Sequence, residues 1–279
     1  MFIKTVYPAA IGRKESFTEI VDKALDAGFF GYWFDSARDF TLPREEMLKL
    51  IRLKHIVPMG MELPVEFRQG EDSFLKDLEN LEKIADYAKS IGIRRCATWI
   101  VPYHDSLCYS KNFKLHVDRL RKILDVLDRY GISLGLEFQA PVSLRMWHKY
   151  WFVHSFDGLF SLISAIDCRN CGVIMNSWHW QFSGMKKFDF NQFENGEQII
   201  AVHINDAPKG LQEEDYQDLS RELPCTTGIL KIRDFLAGID EIGFNGPLIV
   251  EPFYDRLNMM SLDEVLKLVS ASMDKALKR

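Results

Sequence analysis

The sequence lacks a long hydrophobic run. In its 279 residues no apolar stretch approaches the roughly 20 residues that a membrane-spanning helix needs. The opening segment, MFIKTVYPAA, has no basic region followed by a long apolar stretch, which is the pattern of a secretion signal. We therefore expect a cytoplasmic protein without a membrane partner.

An excess of positive charge is also missing. The chain has 35 lysines and arginines against 40 aspartates and glutamates, which gives a net charge of −5. Proteins that bind nucleic acids usually carry a basic patch that meets the phosphates. We therefore expect no nucleic-acid partner.

Cysteine is scarce. The five cysteines are an odd number and are scattered along the chain, which does not suggest a disulfide framework. Their scarcity favours a reducing compartment. Cys168 and Cys171 form one CxxC pair without a second pair, directly before an apolar run that is typical of a strand. Buried or loop thiols are favoured here over a redox or zinc site.

A repeated unit of helix, glycine and strand is present instead. Amphipathic stretches end at Gly28, Gly92, Gly131 and Gly243, and a short β-branched or aromatic run follows each. Glycine just after a helix adopts the left-handed conformation at little steric cost. The spacings of 64, 39 and 112 residues match two, one and three units, each of about 35 residues and long enough for a βαβ repeat.

Eight strand candidates complete this pattern. They begin near Phe2, Phe30, Val57, Arg94, Ser133, Gly172, Ile199 and Pro247. The helix candidates that alternate with them include Phe17–Ala27, Phe74–Ser90, Val117–Tyr130, Leu230–Ile242 and Leu262–Ala276. Eight repeats in this length predict an α/β fold, a single (β/α)₈ TIM barrel that forms one domain over residues 1–279. A doubly wound sheet is the alternative, but no GxGxxG follows the first strand.

Polar side chains terminate the late strands. Those in LGLEFQAP, GVIMNSWHW, AVHIND and PLIVEPF are Glu137, Asn176, His179, His203, Asp206 and Glu251. Barrel active sites are assembled at this rim, so we expect these side chains to meet. Two glutamates, a histidine and an amide oxygen form a mixed set of donors that suits one divalent ion, Mn²⁺, Mg²⁺, Co²⁺ or Zn²⁺.

The motifs LGLEFQAP, NSWHWQFSG, AVHINDAP, SRELP and GPLIVEPF together resemble the xylose-isomerase-like barrels, which include sugar phosphate isomerases and epimerases. The resemblance runs along nearly the whole chain and is clearest between Gly131 and Phe253. It implies one divalent metal ion as cofactor. The ligands that it implies are Glu137, Asn176, His203 and Glu251.

The resemblance also implies a function. It predicts a metal-dependent isomerase or epimerase of a sugar or sugar phosphate, which transfers a proton next to a carbonyl through a metal-stabilised enediolate. Glu137 and Glu251 would serve as base and acid on a small sugar or polyol. The side chains assigned to substrate binding are His179, Arg221, Trp178 and Asp206. Trp180, on the other side of His179, is a further candidate for the pocket wall.

Two departures from the family pattern stand out. Asn176 replaces the usual aspartate and brings no negative charge, which predicts weaker metal binding. After Arg221, where similar proteins often have Pro-Gly-Glu-Gly, the chain reads PCTTG. The long polar segment Lys209–Thr227 around these residues is typical of a functional loop.

Several alternatives stay open at this point. A dehydratase would use nearly the same residues, and a sugar-binding barrel without turnover would explain Asn176. An abasic-site endonuclease needs additional zinc ligands and a basic surface, and a glycosidase leaves His203 without a role. The aromatic loop RMWHKYWF after strand five is compatible with a lid or with the contact of a homo-oligomer.

Overall fold

Eight parallel strands close into a barrel in the computed structural model, which describes residues 1–184 and 187–278. The strands are β1 (Phe2–Val6), β2 (Gly31–Phe34), β3 (Val57–Glu62), β4 (Arg95–Ile100), β5 (Ser133–Phe138), β6 (Cys171–Asn176), β7 (Ile199–Ile204) and β8 (Gly246–Val250). Each pairs with its neighbours in chain order, and β1 pairs with β8 from Phe2 opposite Gly246. The predicted barrel is confirmed.

Helices alternate with the strands and cover the outside of the barrel. They are α1 (Phe17–Asp26), α2 (Ser36–Asp39), α3 (Arg44–Lys54), α4 (Glu71–Ser90), α5 (Tyr109–Arg129), α6 (Phe156–Ile166), α7 (Ser177–Phe182), α8 (Ile232–Glu241) and α9 (Leu262–Leu277). Capping boxes, Ser16 with Glu19 and Ser261 with Glu264, begin α1 and α9. Each box satisfies backbone N–H groups that have no partner within the helix.

One predicted helix boundary was wrong by two turns. Helix α5 begins at Tyr109, whereas the apolar pattern predicted a start at Val117. Asn112 and His116 occupy buried positions in the first two turns. These polar side chains interrupt the hydrophobic periodicity from which a helix is predicted.

A small apolar cluster fills the inside of the barrel. Its buried members are Trp33, Met59, Ala97, Ile174, Ile200, Ala201 and Ile249. The Trp33 indole lies over Gly60, where an added Cβ would come within 2.1 Å of the ring. Glycine at this position therefore leaves the space that the largest interior side chain needs.

The CxxC pair lies away from the carboxyl ends of the strands. Cys171 is the first residue of β6, and both Cys168 and Cys171 are free thiols. Within the part of the chain that the structure describes, no helix is both long and apolar enough to cross a bilayer.

The aromatic loop after β5 forms a short ribbon. Tyr150–Trp151 pairs in antiparallel fashion with Tyr103–His104, and the His148 ring stacks on Tyr103. The neighbouring Trp147 is strongly exposed. The roles of this loop as a lid or an oligomer contact stay predictions.

We expect Gly60→Ala to destabilise the protein. The new methyl group would force the Trp33 ring to move, and overpacking of this kind costs about 1–3 kcal/mol. Urea unfolding measures the change. The control is Gly158→Ala in α6, where the added Cβ meets nothing closer than 3.4 Å and alanine favours the helix by up to about 1 kcal/mol. Equal stabilities of the two variants would contradict this packing.

Candidate active site

A cavity of about 440 Å³ opens at the carboxyl ends of the strands. Glu137 near the end of β5, His203 in β7 and Glu251 just after β8 all line it. The predicted rim residues Glu137, His203 and Glu251 therefore do meet. A cavity of this size is typical of a small-molecule site.

The three side chains form one compact cluster. One potential ligand atom of each lies within 4.8 Å of the others. His203 Nδ1 is 3.6 Å from Glu137 Oε1 and 3.5 Å from Glu251 Oε2. Donor atoms that bind one ion at about 2.1 Å lie roughly this far apart.

Several polar atoms of this cluster have no hydrogen-bond partner among the described residues. Glu137 Oε1 and both ring nitrogens of His203 are buried and have no such partner. Such atoms are rare in folded proteins because burial without a partner is costly. Two carboxylates and one imidazole fit a divalent ion, so Glu137, His203 and Glu251 are the candidate metal ligands.

Without metal, the cluster is held together by charge. Burial lowers the pKa of His203, but the carboxylates of Glu251 and Glu137 outweigh it and raise the pKa to about 10. Burial raises the pKa of Glu251, but His203 and Arg221 outweigh it and lower the pKa to about 2. A bound ion would take the place of the imidazolium proton, as metal sites usually require.

Asn176 does not fit its predicted role as a ligand. Its Oδ1 accepts hydrogen bonds from the backbone N–H of Trp178 at 3.0 Å and from Asn205 Nδ2 at 3.1 Å. A backbone N–H can only donate, so the amide oxygen must face Trp178 and caps the N-terminus of α7. The NH₂ group faces the cluster and donates to Glu251 Oε2 at 2.9 Å. The expectation of amide-oxygen coordination is therefore corrected.

Arg221 lies at the cavity and is paired with two carboxylates. Its Nη1 donates to Glu251 Oε2 at 2.7 Å and its Nη2 to Asp218 Oδ1 at 2.8 Å. The guanidinium lies between the rings of Trp178, at 5.3 Å, and Phe253, at 5.1 Å. The backbone of Phe253 has a φ of 44°, the left-handed region that a bulky side chain rarely adopts. Strain of this kind is common at functional sites.

Two predicted wall residues lie behind the cavity instead. Trp178 is fully buried against Phe182 and Tyr216, and it supports Arg221. Trp180 packs against Phe190 and Phe235 under the barrel surface. Neither tryptophan lines the cavity, so the predicted contacts of Trp178 and Trp180 with substrate are corrected.

Asp206 organises a loop rather than contacting the cavity. Its buried carboxylate accepts hydrogen bonds from four backbone N–H groups at 2.8–3.0 Å. The donors are Ala207, Thr227, Gly228 and Leu230. Its backbone also pairs with that of Glu222. These bonds fold the loop back onto the end of β7 and so bring Asp218 and Arg221 over the barrel, which corrects the predicted substrate role of Asp206.

His179 lies beneath Glu137. Its Nδ1 accepts the backbone N–H of Ala140 at 3.1 Å, so the ring proton is on Nε2. Nε2 is 3.9 Å from Glu137 Oε2 and 3.8 Å from Asp218 Oδ1. Burial lowers the pKa of His179 and keeps the ring neutral. His179 Nε2 has no hydrogen-bond partner among the described residues and faces two carboxylates that line the cavity, so its contact with substrate stays a prediction.

Three further cavity residues carry ionisable groups and were not predicted from the sequence. Glu62 ends β3, Tyr7 follows β1, and Asp218 lies in the long polar loop. Glu62 terminates an apolar run, VPMGME, in the same way that Glu137 terminates LGLEF. The same pattern of a polar side chain after an apolar strand therefore identifies Glu62.

The chain matches one family and several curated proteins. The family model described as xylose isomerase-like TIM barrel matches residues 21–275. An inosose isomerase of Bacillus velezensis is 22% identical over 227 residues, which cover 80% of this chain and 76% of the relative. A 3-dehydroshikimate dehydratase of Pseudomonas putida is 27% identical over 188 residues, which cover 66% of this chain but only 27% of that protein.

Solved structures share the fold over the whole chain. A xylose isomerase domain protein from Alicyclobacillus acidocaldarius has a TM-score of 0.88 at 24% identity and covers 99% of this chain and 98% of that one. The IolI protein, solved with a bound zinc atom, has a TM-score of 0.83 at 17% identity with the same coverage.

We expect Asn176→Asp to tighten metal binding. The atom that faces Glu251 would change from an N–H donor to a carboxylate oxygen, which adds a ligand and a charge. Affinity for Mn²⁺ should rise roughly tenfold or more, because ligand charge strongly tunes such sites. Without metal the same change sets two carboxylates together, so the melting temperature should fall. Calorimetric titration and thermal unfolding measure both effects. An unchanged affinity would mean that this side chain does not reach the ion.

The metal-free protein should lose stability as the pH rises from 6.5 to 10. The pKa of His203 is raised from 6.5 to about 10 on folding. Its contribution is therefore complete below 6.5 and disappears as the pH passes the folded pKa. Urea unfolding in the presence of a chelator measures the free energy of unfolding. The difference between wild type and His203→Gln should shrink as the pH rises across this range.

The control for this measurement is His55→Asn. His55 is an exposed histidine with a left-handed φ, and asparagine tolerates that conformation. It should follow wild type at every pH. If the free energies of unfolding of wild type and His203→Gln changed in parallel with pH, the ionic cluster would be contradicted.

Proposed function

This chain belongs to the xylose isomerase-like TIM barrel family, and we propose that it is a metal-dependent isomerase or epimerase of a small polyhydroxylated carbonyl compound. Its matches include inosose isomerases, and its structural neighbours include an L-ribulose 3-epimerase and a D-psicose 3-epimerase. The relatives therefore support an enzyme of this general kind.

The single observation that carries the proposal is the Glu137–His203–Glu251 cluster. It places two carboxylates and an imidazole at one cavity, with the Glu137 Oε1 atom and the His203 nitrogens unpartnered among the described residues. A divalent ion held by these residues would supply a Lewis acid that polarises a substrate carbonyl.

The two glutamates have different environments and so different roles. With Glu137 Oε1 on the ion, the second oxygen, Oε2, which lies 3.9 Å from His179 Nε2, would take a proton from the carbon next to the carbonyl. Glu251 is kept ionised by Arg221 and His203. Loss of the proton leaves an enediolate, whose negative charge Arg221 would stabilise from the cavity wall.

The site of proton return decides the product. Return to the neighbouring carbon gives isomerisation, and return to the opposite face of the same carbon gives epimerisation. The match to a 3-dehydroshikimate dehydratase favours dehydration as a second candidate, because β-elimination begins with the same proton abstraction.

The test combines metal content with turnover. Protein purified without chelator is analysed by plasma mass spectrometry and then incubated with inosose and with ketoses, and the products are separated by chromatography. We expect about one divalent ion per chain, as one metal site requires. Glu137→Gln removes a metal ligand as well as the base, so its kcat is measured in excess Mn²⁺ beside its metal content. In the metal-loaded variant kcat should fall by about 10²–10⁴, the usual contribution of a general base.

The control for this test is Glu45→Gln on the exposed face of α3, which should leave metal content and kcat unchanged. Elimination products in place of isomers would favour the dehydratase. Bound substrate with no product from any metal-loaded sample would favour a binding protein.

A further inference from the structure

The cavity has a second polar wall opposite the metal ligands. In the ring of eight strands, β3 lies four positions from β7. Glu62 at the end of β3, Tyr7 after β1 and Thr98 in β4 line this side, whereas His203 lines the other. A molecule bound at the metal ligands would therefore meet Glu62 with its far side.

The Glu62 carboxylate is fixed in place but only partly hydrogen bonded. Trp33 Nε1 donates to Glu62 Oε1 at 2.8 Å, and the Trp33 ring is itself held over Gly60 in the barrel interior. Among the described residues nothing donates to the second oxygen, Oε2, although Glu62 lines the cavity. This oxygen is available for a hydrogen bond to a ligand.

The charge of the cavity is negative. Four carboxylates line it: Glu62, Glu137, Asp218 and Glu251. Arg221 is the one arginine or lysine among the described lining residues, and its donors are already bound to Glu251 and Asp218. The charges of Glu137, Asp218 and Glu251 alone balance one divalent ion and the guanidinium of Arg221, so the loaded cavity has no net positive charge that would attract an anion.

The described residues around Thr98 also supply no cation with available donors. Arg68 lies behind Thr98, donates to Thr98 Oγ1 at 2.8 Å and to the carbonyl of Trp99 at 2.7 Å, and is paired with Glu66. Its guanidinium is also stacked between Phe67 and Trp99. A phosphate or carboxylate bound on this side would need a cation with available donors, and the described residues of the wall supply none.

We infer that this cavity selects an uncharged polyhydroxylated ketone over phosphate esters and carboxylates, and that Glu62 is the specificity-determining residue, through hydrogen bonds to substrate hydroxyls on the wall opposite the metal ligands. The inference rests on the proposed function and names the substrate class for that same site. It distinguishes among relatives, since inosose is uncharged and 3-dehydroshikimate is a carboxylate.

The chemistry of Glu62 suits hydroxyl groups. Trp33 Nε1 holds Oε1, so Oε2 is the oxygen that meets a ligand. A carboxylate oxygen accepts hydrogen bonds from substrate hydroxyl groups. An ionised phosphate or carboxylate group gains nothing here, because the carboxylates that line the cavity repel it.

The test is a binding measurement on Mn²⁺-loaded protein. Titration calorimetry gives Kd for two pairs of probes: inosose with 3-dehydroshikimate, and D-fructose with D-fructose 6-phosphate. Wild type should bind the uncharged member of each pair at least tenfold more tightly. Glu62→Gln keeps the size of the side chain and its oxygen for Trp33 but removes the charge. It should raise Kd for the uncharged probes severalfold and lower the preference within each pair by about tenfold.

The metal content of Glu62→Gln should equal that of wild type. The control is Glu79→Gln on the exposed face of α4, which should match wild type in metal content and in every Kd. Equal binding of a charged probe and its uncharged partner by wild type would overturn the inference. So would an unchanged preference in Glu62→Gln, or no binding of either uncharged probe. Selective binding without product formation would refute the proposed function alone, and turnover of a charged probe would refute this inference alone.

Discussion

The buried carboxylate of Glu251 is the group on which the site depends. A buried charge is stable only with partners, and Glu251 Oε2 receives hydrogen bonds from Arg221 and Asn176. Arg221 reaches it because Asp206 gathers four backbone N–H groups and folds the loop back onto β7. Asn176 reaches it because its oxygen is held at the start of α7. Residues of the loop after β7 and of the end of β6 thus hold the Glu251 carboxylate in place.

Much of this arrangement follows from the sequence. The spacing of Gly28, Gly92, Gly131 and Gly243 predicted the barrel, and the polar residues that end late strands predicted Glu137, His203 and Glu251 at one rim. The orientation of Asn176 could not be predicted, because it depends on which amide atom meets a backbone N–H. Asp206 was misassigned for a similar reason, since its partners lie about 20 residues along the chain and become neighbours only when the loop folds.

The fold alone leaves the substrate open, since enzymes named for different substrates share this barrel. The side of this cavity formed by early strands is where we infer that the substrate is selected. Glu62 lies there at the end of an ordinary apolar strand, and Trp33 inside the barrel fixes its position. Substrate choice in this account is a matter of charge, whereas the chemistry belongs to the late strands.

The proposed chemistry depends on a metal site with three protein ligands. A crystal structure of the protein soaked in Mn²⁺, with the ion located by anomalous scattering, tests this site. We expect one ion bonded to Glu137, His203 and Glu251, with the oxygen of Asn176 still on the backbone N–H of Trp178. An ion bonded to the oxygen of Asn176, or no ion within reach of Glu137, His203 and Glu251, would contradict it.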